Sequence, residues 1–335
     1  RRGAMAAPAE DTPTPPRPRL GAVRNSAVGS LQSLSDLSLS LRDSARISWR
    51  AASELYSDLG LGKADQRWRN IQAEAENGPI AAQRQSELKA ALFGRPLADN
   101  PAFLRACLRA KKYQVQKASK LSMNYDDFGP RVGWVAPSKP VTAAALEAEL
   151  RSGFNLILPQ TDVHGHIVIT QRMGLLDFKN GSLESHQRAG YYLLHRALRR
   201  EQAQRCGIAL VLDFRGFGFW LFTKVGMADF ARGVAMLQDC FPARLAVIYI
   251  LHQPMWLSAI VAMLRPLMNK DSLKQKFILL GDDYHQLHEH IPRERLPTKL
   301  EADGTLELDW DAECDAWIAE EKDGTLELAS FFECV

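Results

Sequence analysis

Between residues 154 and 281, short continuous apolar runs alternate with helical patterns. The runs of strand length are 154–158, 167–171, 208–213, 245–251 and 277–280. The helical patterns before and between them are 141–150, 182–204 and 227–239. Runs that are apolar on both sides are typical of parallel sheets covered on both faces. This order therefore predicts an α/β domain with a largely parallel sheet.

The part of the chain before this domain has helical patterns only. They cover residues 64–75, 81–92, 101–110 and 115–125. The sequence Asp-Asn-Pro at 99–101 is typical of a helix start, because Asn or Asp caps the first turn and Pro fits its first position. We expect a small helical bundle over residues 64–130 that docks on the sheet domain, 141–300, since it cannot bury much apolar surface alone.

Residues 1–63 form a leader of different composition. Its first half is rich in Pro, Ala, Arg and Ser and holds too few apolar side chains to offset the entropy cost of ordering. Leu31, Leu34, Leu37 and Leu41 follow at helical spacing among serines. We expect a largely disordered or partly helical leader, as an accessory amphipathic helix or a phosphorylatable linker.

The segment 255–268 is apolar apart from Ser258 and Arg265. A helix built from it is apolar on every side and needs apolar neighbours on more than one face. It is shorter than the roughly 20 residues that cross a bilayer. Two interpretations follow: a helix buried in the core of the domain, or a helix that covers an apolar ligand cavity on one face and contacts a membrane on the other.

The chain of 335 residues has a net charge of +3 and 46% hydrophobic residues, the composition of a globular protein. The weak net charge predicts no nucleic-acid partner. The five cysteines are odd in number and lack metal-ligand spacing, which favours a reducing compartment. No apolar core of a secretory signal lies near the start of the sequence. We expect a cytoplasmic protein that associates with membranes peripherally.

Motifs for catalysis, metals and cofactors are weak. His164 and His166 flank Gly165, a spacing that a solvated hairpin explains better than a metal site. Gly216 and Gly218 follow a strand, but no third glycine completes a dinucleotide-binding motif. No cysteine lies in a phosphatase-type loop and no other nucleophile stands out. We therefore expect no catalysis, no metal and no cofactor.

The C-terminal tail, 301–335, repeats the sequence DGTLEL at 303–308 and 323–328. Between the copies lies an acidic segment with Trp310 and Trp317. Two interpretations stay open. The tail either forms edge strands or a packed cover for the sheet, or it is an acidic tail that docks a protein partner.

A series of short motifs occurs in order along residues 80–300. It includes LRAKKYQVQKA at 108–118, LVLDFRG at 210–216, FPARLAVIYILHQP at 241–254, KFILLG at 276–281 and HIPRERLP at 290–297. The series resembles the CRAL-TRIO lipid-transfer family. The resemblance implies a helical bundle packed on a mixed five-stranded sheet and one hydrophobic lipid in an apolar cavity. It also implies that the helix at 255–268 is a lid that opens at a membrane.

Phosphatidylinositol-binding members of that family use a basic residue, a glutamate and a lysine in three of these motifs. Carried over, these fall on Lys111, Ala243 and Lys276. Because Ala243 supplies no carboxylate, this sequence departs from the family pattern for phosphatidylinositol, and we expect a smaller apolar ligand or another phospholipid as the cargo. Two interpretations stay open: a less polar cargo with phosphate contact at the surface of an anionic, phosphoinositide-bearing membrane, or a phospholipid inside the cavity with Lys111 and Lys276 on its headgroup. The predicted phosphate-binding residues are Lys111, Lys112, Arg244, Lys270, Lys274 and Lys276.

The predicted cavity-lining residues come from the strands and the lid: Thr170, Leu210, Leu212, Tyr249, Trp256, Ser258, Ile260, Met263 and Leu264. Among them, the hydroxyls of Thr170, Tyr249 and Ser258 are candidates for orienting the polar end of a ligand. The expected function is binding of one hydrophobic lipid and its transfer or presentation at membranes. The alternative is a protein-interaction scaffold with a degenerate cavity, which binds a small GTPase or another protein.

Overall fold

The computed structural model describes residues 61–131, 141–179, 181–257, 276–300 and 303–321. Several predictions fall on other residues and so lie outside the described ranges. They concern the leader up to residue 60, most of the predicted lid, and the second DGTLEL copy at 323–328.

The five predicted strands form one sheet in the order β1-β2-β3-β4-β5. Their bounds are β1 Asn155–Thr161, β2 Ile167–Arg172, β3 Ile208–Asp213, β4 Leu245–Leu251 and β5 Phe277–Gly281. Strand β1 is antiparallel to β2, and the other neighbours are parallel. The predicted mixed, mostly parallel sheet is confirmed. Between β1 and β2, Asp162 accepts hydrogen bonds from the backbone N–H groups of His164 and His166, which closes the turn.

Ten α-helices are assigned within the described residues. They are α1 Leu61–Glu76, α2 Ile80–Ala91, α3 Pro101–Ala110, α4 Val115–Arg131, α5 Glu147–Arg151, α6 Leu183–Leu198, α7 Glu201–Arg205, α8 Phe219–Ala235, α9 Tyr284–His290 and α10 Trp310–Glu320. Short 3₁₀ segments lie at Ala144–Leu146, Met173–Leu175, Arg293–Arg295 and Thr298–Leu300. None of the described helices has both the length and the apolarity that a bilayer span requires.

The helix predicted at 182–204 is divided in the structure into α6 and α7. Arg200 has an extended backbone, and its guanidinium donates to the carbonyl of Leu158 at 2.8 Å. Arg and Glu at this point are good helix formers, so packing on β1, rather than local preference, ends α6.

Helix α8 begins eight residues before the predicted start at residue 227. It is kinked at Gly226, whose φ of 68° is a conformation that glycine adopts without steric cost. The π-helical turn Met236–Cys240 follows it and leads to β4. Prediction from the sequence missed the first part of α8, because the glycines and aromatic residues at 216–222 do not show an amphipathic period.

The two faces of the sheet are covered differently. We call the face that carries Ile169, Leu210 and Ile248 the hollow face; it is covered by α6 and α8. The opposite, packed face belongs to a second apolar cluster formed with α9 and the segment that follows it. The buried residues of that cluster are Leu158, Val168, Ala209, Val211, Val247, Tyr249, Leu251, Leu280, Leu287, Ile291, Leu296 and Leu300.

The first part of the C-terminal tail packs on the domain. The Trp317 ring lies 6.0 Å from that of Tyr192 and 4.9 Å from the Arg196 guanidinium. The carboxylate of Glu321 accepts a hydrogen bond from the backbone N–H of Ala143 at 2.6 Å. Over the described residues, this part of the tail is therefore a helix that packs on α6, and whether the tail also docks a partner stays a prediction.

Candidate functional site: an apolar cavity and a cationic cluster

A cavity of about 250 Å³ lies between the hollow face of the sheet and helices α6 and α8. Aliphatic and aromatic side chains form most of its wall. Those from the strands and α6 include Ile169, Leu210, Leu212, Ile248, Ile250, Phe277, Leu183, Tyr191 and Leu194. Those from α8 and its surroundings include Met173, Leu176, Phe214, Val225, Met236, Leu237 and Leu257.

The structure separates the strand residues that the sequence predicts to line this cavity. Leu210 and Leu212 line it. Thr170 and Tyr249 do not, because successive side chains of a strand point to opposite faces and these two lie on the packed face. Both hydroxyls are buried there without a hydrogen-bond partner among the described residues. The prediction that they point into the cavity is therefore corrected.

The predicted lid contributes only its first residues to the described structure. Leu257 lines the cavity, whereas Trp256 packs outside it against the rings of Phe222, at 5.3 Å, and Phe217, at 5.7 Å. The other predicted lid contacts lie outside the described residues: Ser258, Ile260, Met263 and Leu264.

Sequence reasoning missed the polar part of the cavity wall. Asn155 on β1, Gln171 on β2 and His186 on α6 all line the cavity. For α6, the sequence did indicate which residues lie together: His186, Gly190 and Leu194 are spaced four residues apart and so share one face of the helix. The contribution of β1 and β2 depends on their mutual register, which the sequence does not reveal.

Exposed apolar side chains form an aromatic patch beside the point where the chain leaves β4. Phe219, Trp220 and Met255 are 57%, 60% and 72% exposed, and the rings of Phe222 and Trp256 pack against Phe219. Large apolar residues exposed together on one surface are typical of a site that contacts a membrane or another molecule.

Four of the predicted phosphate-binding residues form a cationic cluster, close enough for their charges to interact: Lys111, Lys112, Arg244 and Lys276. Lys270 and Lys274 lie outside the described residues. The ammonium groups of Lys111 and Lys276 donate to the backbone carbonyls of Gln238 and Leu245. Burial lowers the pKa of Lys276 to about 7, and the charges of the other three cations act in the same direction. Burial also lowers the pKa of Lys111.

Helix α1 covers part of the cationic cluster. Trp68 lies under two of the cations, with its ring centre 4.9 Å from the Arg244 guanidinium and 5.4 Å from the Lys112 ammonium. One turn earlier on the same helix, the Asp65 carboxylate pairs with Arg244. Ala243, the residue before Arg244, supplies no carboxylate, and the acid that pairs with Arg244 comes from a different part of the chain.

Asp65 also pairs with His166, which is buried rather than solvated as the sequence suggested. The two imidazole nitrogens lie 2.8 Å from Asp65 and 2.7 Å from Asp162. Burial favours the neutral imidazole, but the hydrogen bonds to the two carboxylates outweigh it and raise the pKa of His166. Burial would raise the pKa of Asp65, but the hydrogen bond from His166 and the charge of Arg244 lower it to about 2.

These features define a class: α/β domains that enclose an apolar ligand cavity between a mixed sheet and its covering helices. Within that class, residues 151–301 match the CRAL/TRIO domain family. The sequence motifs suggested a resemblance to the same family.

Individual relatives match at moderate identity. The α-tocopherol transfer protein-like proteins of Mus musculus and Homo sapiens are 31% identical over 196 residues, which is 58% of this chain and 56% of theirs. The chain thus spans about half the length of these relatives. Clavesin-2 of Rattus norvegicus is 25% identical over 229 residues, 67% of this chain and 70% of its own. The crystal structure of Sfh5 overlaps 64% of this chain and 76% of its own, with a TM-score of 0.44 and 14% identity.

Proposed function

We propose that the protein binds one uncharged lipid in the apolar cavity and transfers or presents it at membranes, without catalysing a reaction. The observation that carries this proposal is the cavity on the hollow face of the sheet. Its wall is largely apolar, and its volume lies just below the range of about 300–1,000 Å³ that is usual for ligand sites. A scaffold with a degenerate cavity would have an interior filled by side chains, so the cavity favours the carrier.

Membrane contact is assigned to two surfaces. The aromatic patch follows the carboxyl ends of β3 and β4, and the cationic cluster lies where β4 and β5 begin. The segment between them in the sequence, 258–275, includes Lys270 and Lys274. The two surfaces lie at opposite ends of β4, so each makes its own contribution to reversible membrane binding. Apolar side chains enter the interface at the aromatic patch, and cations meet anionic headgroups at the cationic cluster, with about 1 kcal/mol for each cation near the surface.

We infer that the phosphate of a membrane phosphoinositide binds at the cationic cluster and promotes release of the cargo. Such a headgroup competes with Asp65 for Arg244 and neutralises Lys111 and Lys276. Among the described residues, Asp239 is the carboxylate whose charge acts on Lys111, and Asp65 is the one whose charge acts on Lys276. Since Asp65 lies on α1, this competition loosens the contact of α1 with the cluster.

Mass spectrometry of organic extracts from the purified protein tests the proposal directly. We expect one uncharged lipid per protein molecule. A stoichiometric phospholipid would place Lys111 and Lys276 on a carried headgroup and overturn the assignment of the cargo. If no lipid is extracted from the protein and the protein takes up none from vesicles, the result would support the protein-interaction scaffold.

Transfer between vesicles tests the role of the cationic cluster. With the wild-type protein, we expect a phosphoinositide in otherwise phosphatidylcholine acceptor vesicles to accelerate lipid transfer. Lys111→Ala should lose most of this acceleration, because one phosphate contact is removed. Lys89→Ala is a matched control, since Lys89 is exposed and pairs with Asp99 at the surface. Equal acceleration for wild type and Lys111→Ala would exclude Lys111 from headgroup binding.

The pKa of Lys276 predicts a pH dependence. Since this pKa is about 7, the ammonium charge is present below neutral pH and is lost above it. Binding to phosphoinositide vesicles should therefore weaken as the pH rises from about 6 to 8. Lys276→Arg keeps the charge over this range and should flatten the profile. A profile of the same slope in Lys276→Arg, measured by vesicle co-sedimentation, would assign the titration to another group.

A further inference from the structure

Three polar residues of the cavity wall lie near one another where β1 and β2 face α6. Asn155 and Gln171 are opposite each other in the β1–β2 pairing, and the Gln171 side chain donates to Asn155 Oδ1 at 2.8 Å. The His186 ring packs edge-on against Phe154, the residue before Asn155, with 5.5 Å between ring centres. We call Asn155, Gln171 and His186 the polar subsite.

The hydrogen bonds of the polar subsite leave donors and acceptors unused, among them a donor on Asn155 and an acceptor on His186. Because Asn155 Oδ1 accepts from Gln171, its Nδ2 group remains as a donor. His186 Nδ1 donates to the carbonyl of Ser182 at 2.8 Å, so in the neutral ring Nε2 is an acceptor. Neither atom has a hydrogen-bond partner within the described part of the chain. Both side chains line the cavity and are only 3% and 4% exposed.

Gly190 keeps the space in front of these groups open. It lies one helical turn after His186 on α6 and also lines the cavity. A methyl group at this position would lie 3.5 Å from Asn155 Nδ2 and 3.9 Å from Gln171 Nε2. The absence of a side chain therefore gives a ligand access to the amides.

The charge of the wall restricts the group that fits there. Among the described lining residues there is no lysine or arginine, and Asp229, the one carboxylate, pairs with Arg232 at 2.9 Å. A phosphate or carboxylate buried here would have no lysine or arginine among these described residues to compensate it, and an uncompensated buried charge is very costly. Donor and acceptor remain unused together, so the complementary group is neutral and both donates and accepts.

We propose that the polar subsite binds the hydroxyl group of an uncharged lipid alcohol. The hydroxyl oxygen accepts from Asn155 Nδ2 and its hydrogen is donated to His186 Nε2, directly or through one water molecule. The hydrocarbon part lies along Leu210, Leu212 and Ile250. This assignment rests on the proposed carrier function and adds the class of cargo. An ether or ester lacks the hydrogen that His186 Nε2 requires, and a phosphate ester carries the charge that the wall does not neutralise.

Three probes of matched chain length test the assignment: 1-hexadecanol, its methyl ether and hexadecyl phosphate. Each competes with a fluorescent long-chain alcohol for the purified full chain. We expect the alcohol to bind about tenfold more tightly than the ether, since leaving a buried polar group unsatisfied has a cost of that size. Hexadecyl phosphate should compete least.

Variants separate recognition from folding. Asn155→Leu and His186→Phe should bind the alcohol and the ether with equal affinity. Retained binding of the ether shows that the variant still folds. Gly190→Ala should lose the same preference, and it favours the helix, so it keeps the test informative if a polar variant does not fold. Thr170→Val is the control, because Thr170 lies on β2 next to Gln171 but on the packed face.

The outcomes distinguish the two proposals. Equal affinity of the wild type for alcohol and ether, or a preference for hexadecyl phosphate, overturns the hydroxyl assignment and leaves the carrier function in place. Retained alcohol preference in both Gly190→Ala and His186→Phe also overturns it. If none of the probes competes, the carrier function fails and the hydroxyl assignment fails with it.

Discussion

The double variant Leu210→Phe/Leu212→Trp should lose its bound lipid almost completely. Both side chains line the cavity from β3, and larger rings there occupy the space that the hydrocarbon needs. Lipid recovered by extraction should fall by about tenfold or more, because a filled site cannot admit a ligand without displacing its own walls. Unlike most changes in a core, this one fills empty space, so the ligand-free protein should remain as stable as the wild type.

Val211→Ile is the matched control for that variant. Val211 lies between the two leucines on β3, but it is fully buried on the packed face. An added methylene there should reduce the free energy of unfolding by about 1–3 kcal/mol and leave lipid occupancy unchanged. Full occupancy of the double variant would mean that the lipid binds outside the cavity.

Asp65→Ala should cause the largest loss of stability. The substitution removes the carboxylate that Arg244 and His166 share. Two buried or partly buried cations then lack this partner. Removal of one member of a buried ion pair typically costs about 3–5 kcal/mol, which urea unfolding measures. Asp99→Ala is the control, since Asp99 pairs with Lys89 in solvent and its loss should cost less than about 1 kcal/mol.

The difference in free energy of unfolding between the wild type and Asp65→Ala should depend on pH in a defined direction. The pKa of Asp65 is lowered in the folded state, so its stabilisation is complete above the ordinary carboxyl pKa and decreases as the pH falls toward 2. The pKa of His166 is raised, so its stabilisation is complete below its ordinary pKa and is lost as the pH rises through the folded value. The difference between wild type and Asp65→Ala should be greatest between about pH 4 and 6.5. A constant difference across pH would mean that Asp65 acts through packing.

The sheet could be predicted from the sequence because its strands are short, apolar and bounded by turns or helical patterns. Local pattern also fixed which side chains of one strand share a face, but not which face is hollow. Tyr249 and Thr170 were therefore placed in the cavity for their hydroxyls, although alternation with Ile248 and Ile169 puts them on the packed face. To predict which face borders the cavity, one must know which helices cover each face of the sheet.

Other parts of the site depend on contacts between residues that are far apart in sequence. Asn155 lies within a strand that is otherwise mostly apolar. Its place beside Gln171 in the cavity wall depends on the register between β1 and β2. Asp65 lies in a helix with many charges, and nothing local marks it as the partner of Arg244, 179 positions later. Lys111 and Lys276 of the cationic cluster could be predicted because the family resemblance assigns phosphate contacts to both positions.

The division of the sheet into a hollow and a packed face also bears on how such a protein changes during evolution. Alternate residues of β2, β3 and β4 belong to different faces, so a single strand carries two sets of positions, one facing the cavity and one facing the packed cluster. We expect substitutions at Leu212 or Gln171 to alter which molecule is held, while their neighbours Val211 and Thr170 keep the packing of the opposite face. A new cargo would then need only point mutations on one face, without insertions.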